Sequence, residues 1–441
     1  MRTSQELAVG AIAAILGHTS AIPIVVHPGG ANDLVITSQD TLDETISVNN
    51  AIKAAPLASN AAEKLSISVY NNFQSDGINI YVTGLGPNGD IVCLTSSGSW
   101  YTPVGNSNET SPQEITEDIA IPLGDYETTT SFTLPSYLSS GRIWVANGDL
   151  TFYTVVAATG VLSLVEPSAV NPDDPSADVN WGFVELTTDP GGITVNLSYV
   201  DFVGLPLGIE VQGSDGTQTA LGVTANAVSS ICSALATKSS SNGQPWNELC
   251  MTDSSGNFLR VVAPSDYISL YPDAFDSYWT DYVSQVWAQY EKVPLTVDTQ
   301  ASAGQVNCTV SSGNLTCAGD NRGYVQPAAS DIFGCNSGPF AIESTDNAVH
   351  QAIVPRLCAA FDRSTLLLSG GNVQPSLESS YYYTASPTNY YSKIVHQYEA
   401  DGKGYAFAYD DVTPDGVLNA SGLLSDPNPT VLTITVGGPT S

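Results

Sequence analysis

The chain has 441 residues, 42% of them hydrophobic, and its 44 acidic and 12 basic side chains give a formal net charge of −32. This length and composition are typical of a folded protein with a large core, and we expect two domains and no extensive disorder. The charge disfavours phosphate backbones and anionic lipid surfaces, so we predict neither a nucleic acid partner nor a membrane partner.

The N-terminus carries a short apolar run, LAVGAIAAILG, followed by small residues up to Ala21. Such a run is too short to span a bilayer and is typical of a secretory signal peptide, which we place at residues 1–21. The alternative is an amphipathic N-terminal helix, because Arg2 is offset by Glu6. We therefore expect an exported monomer, extracellular or in the cell wall, that acts on a neutral polymer.

Six of the seven cysteines lie between Cys232 and Cys358, and Cys93 stands apart from them. In an oxidising compartment such cysteines form disulfides, and six of them permit fifteen connectivities. Pairing of nearest neighbours is the simplest prediction, with Cys93 a buried free thiol. Five N-glycosylation sequons fit export, namely those at Asn108, Asn196, Asn307, Asn314 and Asn419. We expect Asn196, which lies within a predicted strand, to be unmodified.

Residues 65–156 alternate between apolar and polar side chains in short segments that end at turn residues. The predicted strands are SISVYNNF, INIYVTGL, DIVCLT, SFTLP and RIWVAN. This pattern predicts an antiparallel sandwich or barrel. The Pro- and Asp-rich residues 169–179 are predicted to form a loop.

Helical periodicity begins after Gly208. The predicted helices are Val223–Lys238, Phe275–Tyr290, Asp346–Phe361 with a bend at Pro355, and Asn389–Glu399. The aromatic stripe of the second helix is typical of a core-facing surface. Strand periodicity returns in GYAFAYDDV and TVLTITV, so we expect the C-terminal segment to rejoin the first domain.

A hairpin is predicted at Trp181–Thr188 and Ile193–Val200, because Asp189-Pro190-Gly191-Gly192 is a strong turn sequence. Alternation places an apolar set on the core face, namely Val184, Leu186, Ile193, Val195, Leu197 and Tyr199. The opposite face carries Trp181, Phe183, Glu185, Thr187, Thr194, Asn196 and Ser198. Aromatic rings beside hydroxyl and amide groups are typical of carbohydrate binding, although an ordinary solvent-exposed sheet face is the alternative.

Glycoside hydrolysis requires two carboxyl groups, and Glu185 and Asp201 are the candidates in this region. The aromatic neighbours of Glu185 favour a raised pKa and therefore a proton donor. In a flat hairpin, however, Asp201 would lie roughly 16 Å from Glu185 at about 3.3 Å per residue. Catalytic pairs are about 5–9.5 Å apart. We therefore predict a bend or bulge near Tyr199–Asp201.

Several separated blocks of the chain resemble glycoside hydrolase family 64, the endo-β-1,3-glucanases of thaumatin-like type that release short laminari-oligosaccharides. The blocks, in chain order, are SGRIWVANGDLTFY, WGFVELT with NLSYVDFVGLPL, FDSYWTDYVSQVWAQYEKVPLTV, CAAFDRSTLL and PTNYYSKIVHQYEADGKGYAFAYDDV. They cover most of the chain after the predicted signal peptide. The sequence departs from the pattern at Tyr390 and Ala408, neither of which touches the two acids.

The resemblance implies an inverting β-1,3-glucan hydrolase with Glu185 as general acid and Asp201 as general base. It implies substrate contacts by Thr187, Asp189 and Ser198, to which the hairpin face adds Asn196, Trp181 and Phe183. The implied fold is mainly β: an antiparallel β-barrel or sandwich of thaumatin-like type (22–207 and 400–441) and a mixed α/β domain (208–399) flank a wide groove. No cofactor or metal is expected.

Other functions are less well supported by the sequence. A serine hydrolase is disfavoured, since no G-x-S-x-G occurs and the chain after the predicted signal peptide has only three histidines. Metal-binding patterns are similarly absent from the sequence, and we interpret Asp410-Asp411 as structural, with a metal or acidic-cleft site as the alternative. The rival from another class is a non-catalytic glucan-binding wall protein.

Overall fold

The computed structural model describes residues 22–36, 40–43, 64–105, 111–156 and 160–439. The predicted signal peptide and the sequon at Asn108 lie outside the described residues. Among the described helices, none has the length and apolar character needed to cross a membrane.

Short strands make up most of the regular structure. In chain order they are β1 (Ile24–Val25), β2 (Thr41–Asp43), β3 (Leu65–Asn71), β4 (Ile78–Leu85), β5 (Ile91–Leu94), β6 (Trp100–Tyr101), β7 (Gln113–Glu114), β8 (Ile121–Pro122), β9 (Thr129–Leu134), β10 (Leu138–Asn147), β11 (Tyr153–Val156), β12 (Leu162–Val165), β13 (Asn180–Asp189), β14 (Gly192–Leu197), β15 (Phe202–Val203), β16 (Leu207–Gly213), β17 (Gly216–Ala220), β18 (Cys250–Thr252), β19 (Phe258–Val262), β20 (Leu295–Asp298), β21 (Gln305–Ser311), β22 (Asn314–Cys317), β23 (Gly323–Tyr324), β24 (Val373–Gln374), β25 (Leu424–Asp426) and β26 (Pro429–Val436).

The α-helices of the described residues all follow β17. They are α1 (Ala227–Asn242), α2 (Pro264–Leu270), α3 (Thr280–Tyr290), α4 (Ala329–Gly334), α5 (Ala348–Asp362) and α6 (Tyr390–Tyr398). Short 3₁₀ turns are found at Trp246–Leu249, Gly338–Phe340 and Ser379–Tyr381.

Two large sheets form the β-rich part of the molecule. The first has the strand order β25-β14-β13-β10-β4-β5-β6, with β8 paired to β4. The second has the order β17-β16-β26-β3-β9, and its β26–β3 pair is parallel. Alternating side chains from both sheets, such as Ile67, Val82, Val184 and Ile434, enter one hydrophobic core. The prediction of a mainly β fold with additional helices is confirmed.

The barrel alternative is wrong for the described residues, because both sheets remain open. The first sheet ends at β25 and β6, and the second at β17 and β9. The end strands of the first sheet are short, with three residues in β25 and two in β6, which limits the length of its unpaired edges. The C-terminal segment does rejoin the first strands as predicted, since β26 lies between β16 and β3.

Three smaller sheets complete the fold. Their strand orders are β1-β18-β19-β15, β2-β12-β11-β7 and β23-β22-β21-β20-β24. The first of these joins segments from both predicted domains, because β15 pairs with β19. The domain boundaries at 207/208 and 399/400 stay a prediction.

The predicted helices exist, and α1 and α3 show the largest shifts, beginning four and five residues later than expected. At α1, Val223 instead forms a bridge with Glu399, and the helix begins at Ala227. At α3, Phe275 adopts φ 61°, which is incompatible with a right-handed helix, and the helix begins at Thr280. Helices α5 and α6 begin where the side chains of Asn347 and Asn389 cap them.

The prediction of a strand for the GYAFAYDDV segment is wrong. Residues 404–411 form turns in which the Asp410 carboxylate accepts a hydrogen bond from the Ala406 amide at 2.8 Å. This local side-chain contact competes with strand pairing.

The cysteine predictions are confirmed. Disulfides join the nearest neighbours Cys232–Cys250, Cys308–Cys317 and Cys335–Cys358, while Cys93 is free and buried. Burial raises the pKa of the Cys93 thiol to about 12, which suppresses the reactive thiolate.

Candidate active site

The predicted hairpin is present as β13 and β14, joined by a tight turn at Pro190-Gly191. Asp189 pairs with Gly192, and its carboxylate accepts a hydrogen bond from the Gly191 amide at 2.6 Å. Gly192 adopts φ 127°, and a Cβ at this position would lie 2.1 Å from the Asp426 carbonyl oxygen. Only glycine fits both constraints, so the turn sequence fixes the register of the hairpin.

The register places Glu185 directly opposite Asn196 and Thr187 opposite Thr194. The predicted core face is confirmed, since Val184, Leu186, Ile193, Val195 and Leu197 are all buried. On the opposite face, Glu185, Thr187, Asn196 and Ser198 are half-buried, and Asp189 is exposed at the turn. Four of the predicted polar positions therefore lie together on one accessible strip.

The two aromatic residues predicted to contact sugar are not on that accessible strip. Trp181 is 1% exposed and Phe183 is 6% exposed. Their rings pack with Trp144 and Phe202, at centroid distances between 4.4 and 5.6 Å. In this structure they form an aromatic layer beside the acids, and both residues line the cavity next to Asp201 and Arg142.

The bend predicted before Asp201 is present, and contacts from distant segments produce it. β14 ends at Leu197, after which the Tyr199 amide donates to the Tyr405 carbonyl at 2.7 Å. The Tyr391 hydroxyl donates to the Tyr199 carbonyl at 2.6 Å, and the Ala263 amide donates to the Asp201 carbonyl at 2.7 Å. The chain thus leaves the hairpin and continues as β15 in another sheet.

This bend brings Glu185 and Asp201 to one guanidinium group. Arg142 Nη2 lies 3.3 Å from Glu185 Oε1 and 3.7 Å from Asp201 Oδ2. Because both oxygens lie this close to one nitrogen, they are at most about 7 Å apart. The 16 Å separation extrapolated from a flat hairpin is wrong, for the reason that the chain bends.

Arg142 also binds a third acid, Glu166. Its Nη1 donates to Glu166 Oε2 at 2.8 Å, and the Glu166 side chain is only 5% exposed. Neither residue was named as a site residue from the sequence. A signal was available for Arg142, because it is one of only 12 basic residues and stands within an apolar strand sequence. Glu166 follows a short strand and carries no comparable signal.

The electrostatics of the site follow from three carboxylates around one cation. Burial, opposed by Arg142 and reinforced by Glu185 and Glu166, raises the pKa of Asp201 to about 6. Burial likewise raises the pKa of Glu166. For Arg142, burial opposes the charge, but Glu166, Glu185 and Asp201 hold its pKa above the usual value. Arg142 therefore stays charged, and Asp201 changes protonation in a weakly acidic range.

A cavity of about 320 Å³, open to solvent, lies beside Asp201 and Arg142. Its wall includes Phe202 and two further acids, Asp40 and Asp266. Asp266 lies in α2, immediately after the strand that pairs with β15. The cavity adjoins Asp201 and Arg142, while Glu185 lies outside its lining on the accessible strip of the hairpin.

Two other clusters that contain an acidic residue are structural in this geometry. Asp410 is buried and forms ion pairs with Arg363 and His396 at 3.0 and 2.9 Å, in agreement with its structural interpretation. Among the described residues, one tight group could in principle ligate a metal, namely Cys335, Cys358 and Asp362. Its two sulfur atoms are joined in a disulfide, so they are not available as thiolate ligands.

Comparison with known proteins identifies the family of the chain. The model of the β-1,3-glucanase family, glycoside hydrolase family 64, matches residues 63–436. The chain belongs to this family. The chain is 29% identical over 284 residues to a glucan endo-1,3-beta-glucosidase of Cellulosimicrobium cellulans, and 28% identical to one of an Arthrobacter strain. Each match covers 62% of this chain and 48% of the relative, so the chain spans about half the length of these curated relatives.

Solved structures of this family show the same fold. A laminaripentaose-producing β-1,3-glucanase in complex with laminaritetraose superposes with a TM-score of 0.73 at 27% identity, over 85% of this chain and 99% of that chain. A β-1,3-glucanase domain from Clostridium beijerinckii gives a TM-score of 0.66 at 21% identity, over 85% and 98% of the two chains. The second likeness supports the fold alone.

Proposed function

We propose that this family 64 protein is a secreted endo-β-1,3-glucanase that cleaves β-1,3-glucan to short laminari-oligosaccharides by inversion. The observation that supports it most directly is the pair Glu185 and Asp201, held at most about 7 Å apart beside a solvent-open cavity. This upper limit includes the retaining range of about 5–5.5 Å and the lower end of the inverting range of roughly 6.5–9.5 Å, so the assignment of inversion rests on the family and is decided by the anomeric form of the product. Thaumatin-like topology and the division into two domains flanking a groove belong to the same proposal.

The two carboxyl groups have different tasks in this mechanism. Glu185, on the rigid hairpin, protonates the glycosidic oxygen as the sugar bond breaks. Asp201 removes a proton from a water molecule that attacks the anomeric carbon from the opposite face. An Asp201 carboxyl with a pKa of about 6 is ionised above that pH and is a stronger base than an ordinary aspartate.

The strip beside the acids supplies the sugar contacts in this proposal. Thr187, Ser198 and Asp189 offer hydrogen-bonding groups at the hairpin surface. Asn196 donates to Glu185 Oε2 at 3.2 Å and so also orients the acid. Trp181 and Phe183 line the cavity beside Asp201, and the Arg142 guanidinium lies 4.5 Å from the Phe183 ring centroid.

Isosteric variants of the two acids test the proposal. We expect Glu185→Gln and Asp201→Asn each to lower the rate of reducing-sugar release from laminarin roughly 10²–10⁴-fold, because each variant removes a proton-transfer group. Glu210→Gln is the matched control, since Glu210 lies on β16 outside the cavity lining and its carboxylate accepts a hydrogen bond from the Gln212 side chain. The control variant should retain the wild-type rate.

The same proteins discriminate the enzyme from a non-catalytic glucan-binding wall protein. A binder would sediment with insoluble curdlan but release no reducing sugar in wild-type form. Proton NMR of fresh product should show the α-anomer if the reaction inverts. A full rate in Glu185→Gln, or initial release of the β-anomer, would contradict the assigned roles.

A further inference from the structure

Arg142 has an unusual set of partners for a side chain in a sheet. Its strand neighbours are Glu185 on β13 and Thr83 on β4. One guanidinium nitrogen binds Glu166, and the other faces both Glu185 and Asp201. A planar fork with two separate nitrogen arms permits this division, whereas the point charge of a lysine does not.

Glu166 is anchored from behind by a chain of buried hydrogen bonds. Trp144 Nε1 donates to Thr83 Oγ1 at 2.9 Å, and Thr83 Oγ1 donates to Glu166 Oε1 at 3.0 Å. Trp144 and Thr83 are both almost fully buried. The Glu166 backbone is also held, because its amide donates to the Asp40 carbonyl at 2.8 Å. The anchor is therefore fixed at both its side chain and its main chain.

We propose that Arg142, anchored by Glu166, is the positioning residue of this site, and that it holds Glu185 and Asp201 in their reactive arrangement. This inference rests on the proposed glucanase activity. Arg142 acts through the two acids and does not itself transfer a proton. Three carboxylates share its single positive charge, so loss of either Arg142 or Glu166 changes the electrostatic field at the remaining acids.

The direction of each change follows from the charges that face Asp201. From the large sheet and the segment after β12 these are Arg142, Glu185 and Glu166, while Asp40 and Asp266 line the same cavity. From α6, the Tyr391 hydroxyl donates to the Tyr199 carbonyl, two residues before Asp201. Removing the cation leaves the carboxylates to repel one another, which favours protonated Asp201. Removing the Glu166 charge takes away one repulsive neighbour and frees Arg142 for the other two acids.

The test is the pH dependence of kcat/KM on laminarin, whose acid limb reports ionisation of the carboxyl pair. The wild-type limb is expected near pH 6, from the pKa of Asp201. We expect Arg142→Met to move this limb up by about one unit or more, and Glu166→Gln to move it down. Arg142→Lys should keep the limb near its wild-type position but lower kcat, since one ammonium cannot serve both sides.

Arg322→Met is the matched control, because it removes an Arg–Asp346 ion pair of 2.8 Å that does not line the cavity. It should leave the limb unchanged. Thermal unfolding of each variant shows that the measured protein is folded, and Glu166→Gln remains informative if Arg142→Met does not fold. The inference would be overturned if the acid limb of the kcat/KM profile kept its wild-type position in Arg142→Met and Glu166→Gln, or if it moved in the same direction in both variants. A wild-type protein without hydrolysis would instead refute the proposed function.

Discussion

His396 shows how a single half-buried residue can tie this fold to pH. Its Nδ1 lies 2.8 Å from Glu399 and its Nε2 lies 2.9 Å from Asp410. Burial opposes the imidazolium, but Asp410 and Glu399 raise the pKa of His396 to about 10. Since Asp410 also binds Arg363, this ion-pair group links α6 to the segment that precedes β25.

We predict that the His396 contribution to stability is lost in alkali. A histidine whose pKa is raised on folding stabilises the fold fully below about pH 6.5, and the stabilisation disappears as pH rises through about 10. His396→Gln should cost about 3–5 kcal/mol at pH 6, because Glu399 and Asp410 lose their shared cation. Urea unfolding at pH 6 and pH 10 checks this. An equal loss at both pH values would contradict the electrostatic account.

At the scale of elements, residues 22–36 and 40–43 lie outside the family match but contact the structure around the site. β2 pairs with β12, immediately before Glu166, and places Asp40 in the cavity wall. β1 pairs with β18, and the His27 amide donates to the Pro172 carbonyl at 2.8 Å. These contacts give the segment two attachments to the structure that surrounds the acids.

Removal of residues 2–43 should therefore impair both stability and catalysis. It eliminates β1 and β2 and the burial of Val26 and Leu42. We therefore expect the free energy of unfolding to fall by about 3 kcal/mol or more. The rate on laminarin should fall several-fold, since Glu166 loses its backbone partner. Removal of residues 2–21 is the control, because it leaves both strands in place. Unchanged unfolding and unchanged rate in the longer truncation would show that the segment is dispensable.

The elements also show how far the sequence could predict the site. Alternation and the Pro-Gly-Gly turn gave the β13–β14 register correctly, and with it the common face of Glu185, Thr187 and Asn196. The position of Asp201 required contacts from Tyr405, Tyr391 and Ala263, which are distant in the chain and carry no local pattern. The burial of Trp181 was missed for the same reason, because parity predicts a face but not what covers it.

At the scale of the whole molecule, the net charge of −32 creates a negative electrostatic field that an approaching substrate encounters. A neutral β-glucan feels little of this field, whereas an anionic derivative is repelled. The described fold offers few compensating cations near the cavity, and Arg142 is already engaged by three acids.

We predict that carboxymethylated β-1,3-glucan is a poorer substrate than neutral laminarin at low ionic strength. Its kcat/KM relative to laminarin should be lowest at 0.01 M salt, where charges act over about 30 Å, and should recover towards 1 M, where they act over about 3 Å. The measurement is initial rate on both polymers across this salt range. A ratio that does not change with salt would mean that charge plays no part in discrimination.

The bend at Tyr199–Asp201 has a consequence for how this protein would lose activity as it unfolds. Glu185 belongs to a hairpin within the large sheet, but Asp201 is held by the start of α2, by α6 and by the Tyr405 segment. Their spacing is thus a property of tertiary docking, which can loosen while every strand remains paired. Mild heat or denaturant would separate the two acids and abolish activity before the sheets unfold. Loss of activity would therefore mark the loss of tertiary docking rather than the loss of secondary structure.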